Sequence, residues 1–369
     1  MTSAYNVLKE LSRRGHQITV LTTSIGANVP PVSTQMLDGM IVHYFRGYGE
    51  GLYLSHQLLR FLQNHWNHEI VHVCNYRNFP SDIVSLWSRR RGLPTIVSAN
   101  GCLFAYRYVP AFSSLKLALY KLHDSFISSP IRKATLAMAV SSTEASDYMH
   151  FGVPRDRIRV VPNGVDLGIF CPGDPEGAHI SKLAAGSKLI GYVGRLDPIK
   201  GLLTLVEAFD VLQRDVPEAK LVLVGPDFGM RKKINFLVDK KQLRGVVFWG
   251  VASQETLVQL YRAFDVVAIP SYFEIFGMSI LEAMACGRPV VSTQVGGVSE
   301  LIHDGSDGFL VPPRDSESLS RRIISILGNR DLALRMGQNA RLTANNFGIS
   351  RTADLTEKAY AECLSRSCP

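Results

Sequence analysis

Two glutamates, Glu274 and Glu282, stand in the mostly apolar run SYFEIFGMSILEAMACGRPVV at 271–291. The preceding DVVAIP reads as a strand ending near Pro270, and FGMSILEAMACG reads as a helix beginning around Gly277. The first amides of such a helix have no partner within it, so those near Gly277, Met278 and Ser279 face an anion. Paired carboxylates often serve as general acid and base. Beside an anion-holding helix start they suit another task, because a carboxylate accepts two hydrogen bonds from adjacent hydroxyls. Glu282 would then hold a ribose diol and Glu274 the hydroxyls of a sugar. Upstream, GYVGRLDPIKG (191–201) ends a strand at Gly194 and offers Arg195 and Lys200 before the next helix. In open α/β sheets ligands lie at such carboxyl ends, where two cations can neutralise a diphosphate leaving group. The plainer reading makes all four side chains solvated or structurally paired charges.

Other motifs compete for attention. His68-Glu69-Ile70-Val71-His72 matches H-E-x-x-H, the remote alternative of a zinc peptidase. That chemistry needs a helix, on which the two imidazoles lie about 6 Å apart on one face. The run EIVHVC is β-branched and falls where a strand is expected, which would separate them by about 13 Å. Gly47-Tyr48-Gly49-Glu50-Gly51 does not complete G-x-G-x-x-G and reads as a flexible loop, and no G-x-x-x-x-G-K-[ST] occurs. No Asp-x-Asp occurs either, so no metal is expected and phosphate chemistry falls to protein cations and backbone dipoles.

The elements that must position these residues follow an α/β alternation. The first half shows strand-like QITVLTT (17–23), IVHYF (41–45), EIVHVC (69–74), PTIVSA (94–99) and TLAMAV (135–140). The second shows KLIGYVG (188–194), AKLVLVG (219–225), VVFWG (246–250), DVVAIP (265–270), PVVST (289–293) and GFLVP (308–312). Helix-like segments separate them, as in parallel sheets. Two doubly wound halves are the natural reading, joined by the Pro-, Gly- and Asp-rich VVPNGVDLGIFCPGDPEG at 160–177. Helical patterns fill the chain beyond about 315, broken at Gly328 and at Asn345-Asn346. The chain opens on MTSAYNVLKELSRRGH, already helical, so the expected opening strand and Gly-rich turn of the first domain are missing.

At 369 residues, with 46% hydrophobic and 20% charged, the chain suits two globular domains. No apolar run reaches a membrane span and no secretory leader is evident, so a cytoplasmic protein is expected. Six cysteines (Cys74, Cys102, Cys171, Cys286, Cys363 and Cys368) form no C-x-x-C pair, which fits a reducing compartment. Up to Asn163 there are 17 Lys and Arg against 9 Asp and Glu; beyond it, 23 against 23. The whole excess of +8 is therefore in the first half, which suggests an anionic partner such as an acidic lipid surface or a phosphorylated acceptor.

Together these residues resemble the retaining, nucleotide-sugar-dependent glycosyltransferases of the GT-B group one family, also numbered family four. The likeness runs in order through GHQITVLTT, VPRDRIRVVPNGVD, GRLDPIKG, the spacing of Glu274 to Glu282, and GGVSELIHDGSDGFLVPPRD (296–315). It implies an α/β fold of two Rossmann-like doubly wound domains facing a cleft. The acceptor domain would be 1–163, lacking its first strand, and the donor domain 164–345, with a final helix at 346–369 crossing back. It makes Arg195 and Lys200 the diphosphate ligands, Glu282 the ribose ligand, and Gly250-Val251 part of the nucleobase pocket. Glu274, with the backbone from Phe276 through Gly277 and Met278 to Ser279, would contact the donor sugar. The implied donor is a UDP- or GDP-sugar and the acceptor a hydroxyl, in lipid-linked or cell-surface glycan synthesis, with no metal, no other cofactor and no nucleic acid. Transfer would be with retention, the donor phosphate taking the acceptor proton. A peripheral place at the inner face of an anionic membrane would suit the basic half. Where many relatives carry a histidine before glycine, this chain has Asn100-Gly101, and a second histidine of relatives is Cys74. Asn100 can hydrogen-bond a hydroxyl but cannot take a proton. A degenerate GT-B protein that binds nucleotide-sugar or glycan without catalysis is thus the alternative.

Overall fold

A computed structural model describes residues 3–24, 29, 30, 32–48, 53–64, 67–76, 78–101, 103, 118, 120–124 and 129–366. Of the Gly47–Gly51 stretch, residues 49–51 lie outside these, while Tyr48 bridges Leu54 in antiparallel fashion. Contacts group the described residues into two units. One holds those up to Gly164 together with those from Ile349 onward; the other holds Val165–Gly348. The divisions thus fall at 164 and 348, against the expected 163 and 345.

The first described element is helix α1 (Ser3–Arg13), and no strand precedes it among the described residues. Strands β1 (Thr19–Thr23), β2 (Ser33–Leu37) and β3 (Met40–Phe45) form one sheet in the order β1-β3-β2. β1 pairs parallel with β3, and β2 pairs antiparallel with it. The β2–β3 connection is Asp38-Gly39, with φ of 48° and 80°. Two successive positive values mark the turn that matches strand twist in a hairpin.

After α2 (His56–Asn64), the unit continues with β4 (Val71–Cys74), α3 (Phe79–Arg90), β5 (Thr95–Ser98), β6 (Leu136–Ala139), α4 (Ser142–His150) and β7 (Ile158–Val160). These strands make a second sheet, β4-β5-β6-β7, parallel throughout. Every residue of β5 and β6 is buried, as expected for a parallel sheet covered on both faces.

The second unit is a six-stranded parallel sheet of β8 (Lys188–Val193), β9 (Ala219–Val224), β10 (Val246–Gly250), β11 (Val266–Ile269), β12 (Val290–Thr293) and β13 (Gly308–Val311). Its order, β10-β9-β8-β11-β12-β13, reverses direction between β8 and β11. That is the topological switch point of a doubly wound sheet, where the loops after the two central strands part and leave a crevice. Helices α5 (Ala178–Ala184), α6 (Leu202–Asp215), α7 (Arg231–Lys241), α8 (Gln254–Ala263), α9 (Met278–Ala285), α10 (Ser316–Leu327) and α11 (Arg330–Asn345) complete the unit. Helix α10 is capped at Gly328 and α11 at Asn346, where the sequence breaks were expected. Ile190, Val222, Val267 and Val291 are essentially without exposure and hold the centre of the sheet.

The last helix, α12 (Ile349–Ser365), belongs to the first unit. Ala359 and Cys363 pack with Ile96, Leu136, Met138 and Val161, flanked by Leu355 and Tyr360. Arg14 fastens its solvent side, donating to Asp354 at 2.6 Å, Glu357 at 2.9 Å and the Ser350 hydroxyl at 2.7 Å. Among the described residues, no helix is long and apolar enough to cross a membrane.

Candidate functional site

The loops after β8 and β11 bring the central candidates together at the switch point. The amide of Tyr272 donates to the carbonyl of Ile199 at 2.7 Å, tying one loop to the other. The turn leading into α6 needs Gly201, with φ of 66°, because a Cβ there would lie 1.9 Å from the Pro270 carbonyl oxygen. Asp197 accepts from the amide of Ile199 at 3.0 Å and fixes the short helical turn that carries Lys200. As a result the Lys200 ammonium donates to Glu274 Oε2 at 2.6 Å, between side chains 17% and 15% exposed. Ser271 adds a longer bond, 3.4 Å, to the same oxygen. A charged pair half out of water attracts more strongly than one on an open surface. The carboxylate and the ammonium therefore hold each other in place at the mouth of the crevice.

The Glu274 loop is braced from the next connection as well. The amide of Gly297 donates to the Glu274 carbonyl at 3.2 Å, and Thr293 donates through its hydroxyl to the Ser271 carbonyl. At Gly296, φ is 52° and a Cβ would meet the Glu274 carbonyl oxygen at 1.9 Å, so only glycine fits. Helix α9 then begins behind Gly277, with no side chain capping it, so the amides of its first turn have no partner within the helix. Phe276 is buried against Phe347, with ring centroids 5.9 Å apart.

One helical turn in from Met278 lies Glu282. Tyr261 donates to its Oε2 at 2.9 Å, and burial pushes its carboxyl up to about 7. Arg195 is more open: it lies beside Asp197 at 3.7 Å, and its guanidinium sits 5.3 Å from the centre of the Phe228 ring. Gly250 ends β10 and accepts from Gly225 at 2.8 Å, with Val251 beyond it 74% exposed. Arg314 lies over Tyr272 at 4.9 Å, a cation next to this loop that the sequence reading passed over. The sequence reading also missed Ser271, Thr293, Gly296 and Tyr261. Ser271 and Thr293 act through their hydroxyls and Gly296 through a close backbone approach, while Tyr261 looks like one more apolar position of an amphipathic helix.

Asn100 belongs to the first unit, at the carboxyl end of β5. It is left-handed, with φ of 51°, and so is Asn75 at the end of the adjacent β4, with φ of 69°. Non-glycine residues rarely adopt this region, and they gather at functional sites when surrounding structure enforces it. The Asn100 carboxamide donates to Asn75 Oδ1 and to the Ser98 carbonyl, each at 3.4 Å. It borders a cavity of about 60 Å³ with His72, Cys74, Ser98 and Tyr360. His72 is on strand β4 rather than on a helix, so the H-E-x-x-H spacing loses the geometry that would bring its imidazoles together. Its two ring nitrogens bond to the Tyr360 hydroxyl at 2.8 Å and the Ser98 hydroxyl at 2.7 Å, and burial holds its pKa down to about 4.

Residues 176–343 match the family model for glycosyl transferases group 1, and residues 2–168 match that for glycosyltransferase family 4. The D-inositol 3-phosphate glycosyltransferase of Nocardia farcinica is 30% identical over 380 residues, covering 96% of this chain and 82% of the relative. The protein of the same name from Geodermatophilus obscurus is also 30% identical, over 376 residues, with coverage of 96% and 82%. Among solved structures, sucrose-phosphate synthase from Thermosynechococcus elongatus aligns with a TM-score of 0.80 at 24% identity, covering 98% of this chain and 92% of that one. Anabaena HepE, crystallised with UDP and glucose, aligns with a TM-score of 0.75 at 22% identity, with 97% and 95% covered. At these identities the two structures speak for the fold.

Proposed function

We propose how this chain, which belongs to the group 1 glycosyltransferases of the GT-B fold, carries out its transfer of sugar from a nucleotide-sugar. The donor diphosphate lies between Lys200, Arg195 and the amide end of α9. Glu282 takes the ribose diol, Glu274 the hydroxyls of the donor sugar, and the Gly250-Val251 turn borders the base. The observation that carries this reading is the Lys200–Glu274 pair at the switch point, 2.6 Å apart in front of an uncapped helix start. A diphosphate arriving there offers Lys200 a second anion, while Glu274 stays at hand for sugar hydroxyls.

The reaction proposed is retaining. The bond from the anomeric carbon to the β-phosphate oxygen breaks, and the acceptor oxygen bonds to that carbon on the same face. The acceptor proton passes to the departing phosphate, so Asn100 need only orient the hydroxyl. The cations being Lys200 and Arg195, the transfer proceeds without a metal. The Nocardia and Geodermatophilus relatives are named for D-inositol 3-phosphate, so a phosphorylated polyol is the first acceptor to assay. The basic first half, 17 against 9 charges, suits such an acceptor and equally a lipid-linked one at an anionic membrane face. Radiolabelled UDP- and GDP-sugars with D-inositol 3-phosphate, in the presence of EDTA, test the reading. Lys200→Ala and Glu274→Ala should each abolish transfer, and near-normal rates in either would refute the site assignment. A second reading, binding without turnover, is favoured by Asn100 in the histidine position. Calorimetry with UDP and GDP showing tight binding, but no transfer or donor hydrolysis, would establish it instead.

A further inference from the structure

We infer that Glu144 is a positioning residue for the acceptor side of the reaction: from helix α4 it holds the turn after β5 that presents Asn100. This rests on the reading of Asn100 as the residue facing the acceptor hydroxyl. Asn100 and Gly101 are both left-handed, with φ of 51° and 83°, so two successive residues sit where the chain does not rest by default. The amides on either side of Asn100 are the ones tied down. That of Gly101 donates to Glu144 Oε1, and that of Ala99 donates to the Tyr148 hydroxyl at 2.6 Å. The same hydroxyl donates to the Val97 carbonyl at 3.1 Å. Glu144 and Tyr148 are four residues apart, hence on one helical face, and neither has measurable exposure.

An ordinary capping role does not account for Glu144. Ser141 already caps α4, accepting from the Glu144 amide at 3.1 Å. In a capping box the glutamate would turn back onto the cap residue's own amide. Here one carboxylate oxygen takes the amide of Val140, at 2.8 Å and at the end of β6, while the other reaches across to Gly101 beyond β5. The carboxylate thus bridges the ends of two adjacent strands. Only an ionised carboxylate presents two acceptor oxygens to two amides; a carboxamide would set its own N–H groups against one of them. Desolvation pushes the Glu144 carboxyl up to about 7, against the bonds from the Val140 and Gly101 amides, which favour its ionised form. Asn75, left-handed at the end of β4 and bonded to Asn100, extends the same shaped surface by one strand.

The test uses the whole protein, with UDP-glucose as donor and D-inositol 3-phosphate as acceptor. Glu144→Gln should raise the acceptor KM and lower kcat, each by about tenfold, as loss of a charge-assisted hydrogen bond would. The UDP Kd measured by calorimetry should stay unchanged. Tyr148→Phe, which keeps the ring in the core, should move the same constants in the same direction. Ser141→Ala, which removes the cap bond to the Glu144 amide but leaves both bonds to its carboxylate, should lower the melting temperature and leave the acceptor KM where it was. Hydrogen exchange over residues 97–101 supplies a readout independent of turnover: faster exchange in Glu144→Gln than in Ser141→Ala is expected. Equal exchange in the two, or an acceptor KM that moves equally in both, would overturn the inference. If Asn100→Ala changes nothing while Glu144→Gln raises the acceptor KM, the turn's backbone meets the acceptor and it is the Asn100 reading that fails. If Asn100→Ala raises the acceptor KM and Glu144→Gln does not, Asn100 stands and Glu144 does not position it.

Discussion

Replacing Glu282 by glutamine should make the protein more stable and a poorer binder of nucleotide. The carboxyl is part-buried on α9, and burial lifts it from an ordinary 4.5 to about 7, against the opposing bond from Tyr261. A carboxyl raised in the folded state binds its proton more tightly there than in the unfolded chain. Folding is therefore opposed by the ionised group above about pH 7, and the opposition is relieved as pH falls toward 4.5. At about 1.4 kcal/mol per unit, the penalty at pH 8 is about 3 kcal/mol. Glutamine is neutral and its carbonyl can still accept from Tyr261, so Glu282→Gln should recover most of that figure at pH 8 and only about a quarter of it at pH 5. For a unit of this size the gain corresponds to a melting temperature higher by roughly 5–10 °C. The same exchange removes the bidentate acceptor proposed for the ribose diol, and the UDP Kd should rise about tenfold to a hundredfold. Thermal melts of both proteins at pH 5, 6, 7 and 8, paired with UDP calorimetry, provide the assay. A variant that melts no higher at pH 8, or a difference that does not shrink toward pH 5, would refute the burial argument. An unchanged Kd would refute the ribose assignment.

Other outcomes follow from the same geometry. Lys200→Ala leaves Glu274, 15% exposed, without its ammonium; transfer should fall at least a thousandfold while the melting temperature drops by only a few degrees, checked by initial rates and calorimetric scans. Gly296→Ala sets a methyl group 1.9 Å from the Glu274 carbonyl oxygen at a positive φ, and should lower stability by about 2–4 kcal/mol and activity with it, read from urea unfolding. Arg14→Ala, which unfastens α12 from the end of α1, should lower stability by about 1 kcal/mol, and the loss should shrink in high salt.

The sheet of the second unit was legible because its strands are short apolar runs bounded by glycine or proline, a pattern that burial on both faces imposes. Strand β2, STQML, is mostly exposed and carries no such pattern, so it was passed over. Its one signal was the Asp38-Gly39 pair that makes the hairpin turn. Strand β7 was hidden for a similar reason, as Ile158–Val160 is three residues long at the edge of the linker composition. In the site, residue types and local spacing were readable, since a helix start and a loop carboxylate are near neighbours in sequence. The Lys200–Glu274 bond was not, because it joins residues 74 apart through the fold. The supports at Gly296, Thr293, Tyr261 and Glu144 stayed invisible for that same reason. Asn100 was picked out only by the resemblance to a family with histidine in its place; its left-handed backbone is a property of the turn.

Helix α12 makes the first unit discontinuous along the chain, and this bears on the order in which the protein is finished. The apolar face of Ile96, Leu136, Met138 and Val161 is synthesised early, but its cover of Ala359 and Cys363 comes from a helix that follows the whole of the second unit in the chain. At 5–20 residues per second, that face waits roughly 10–40 s for its lining. The sheet between Val165 and Gly348 is contiguous and can close in the meantime. The half translated first is thus completed last, and during that interval its exposed face is the part of the nascent chain most in need of a chaperone.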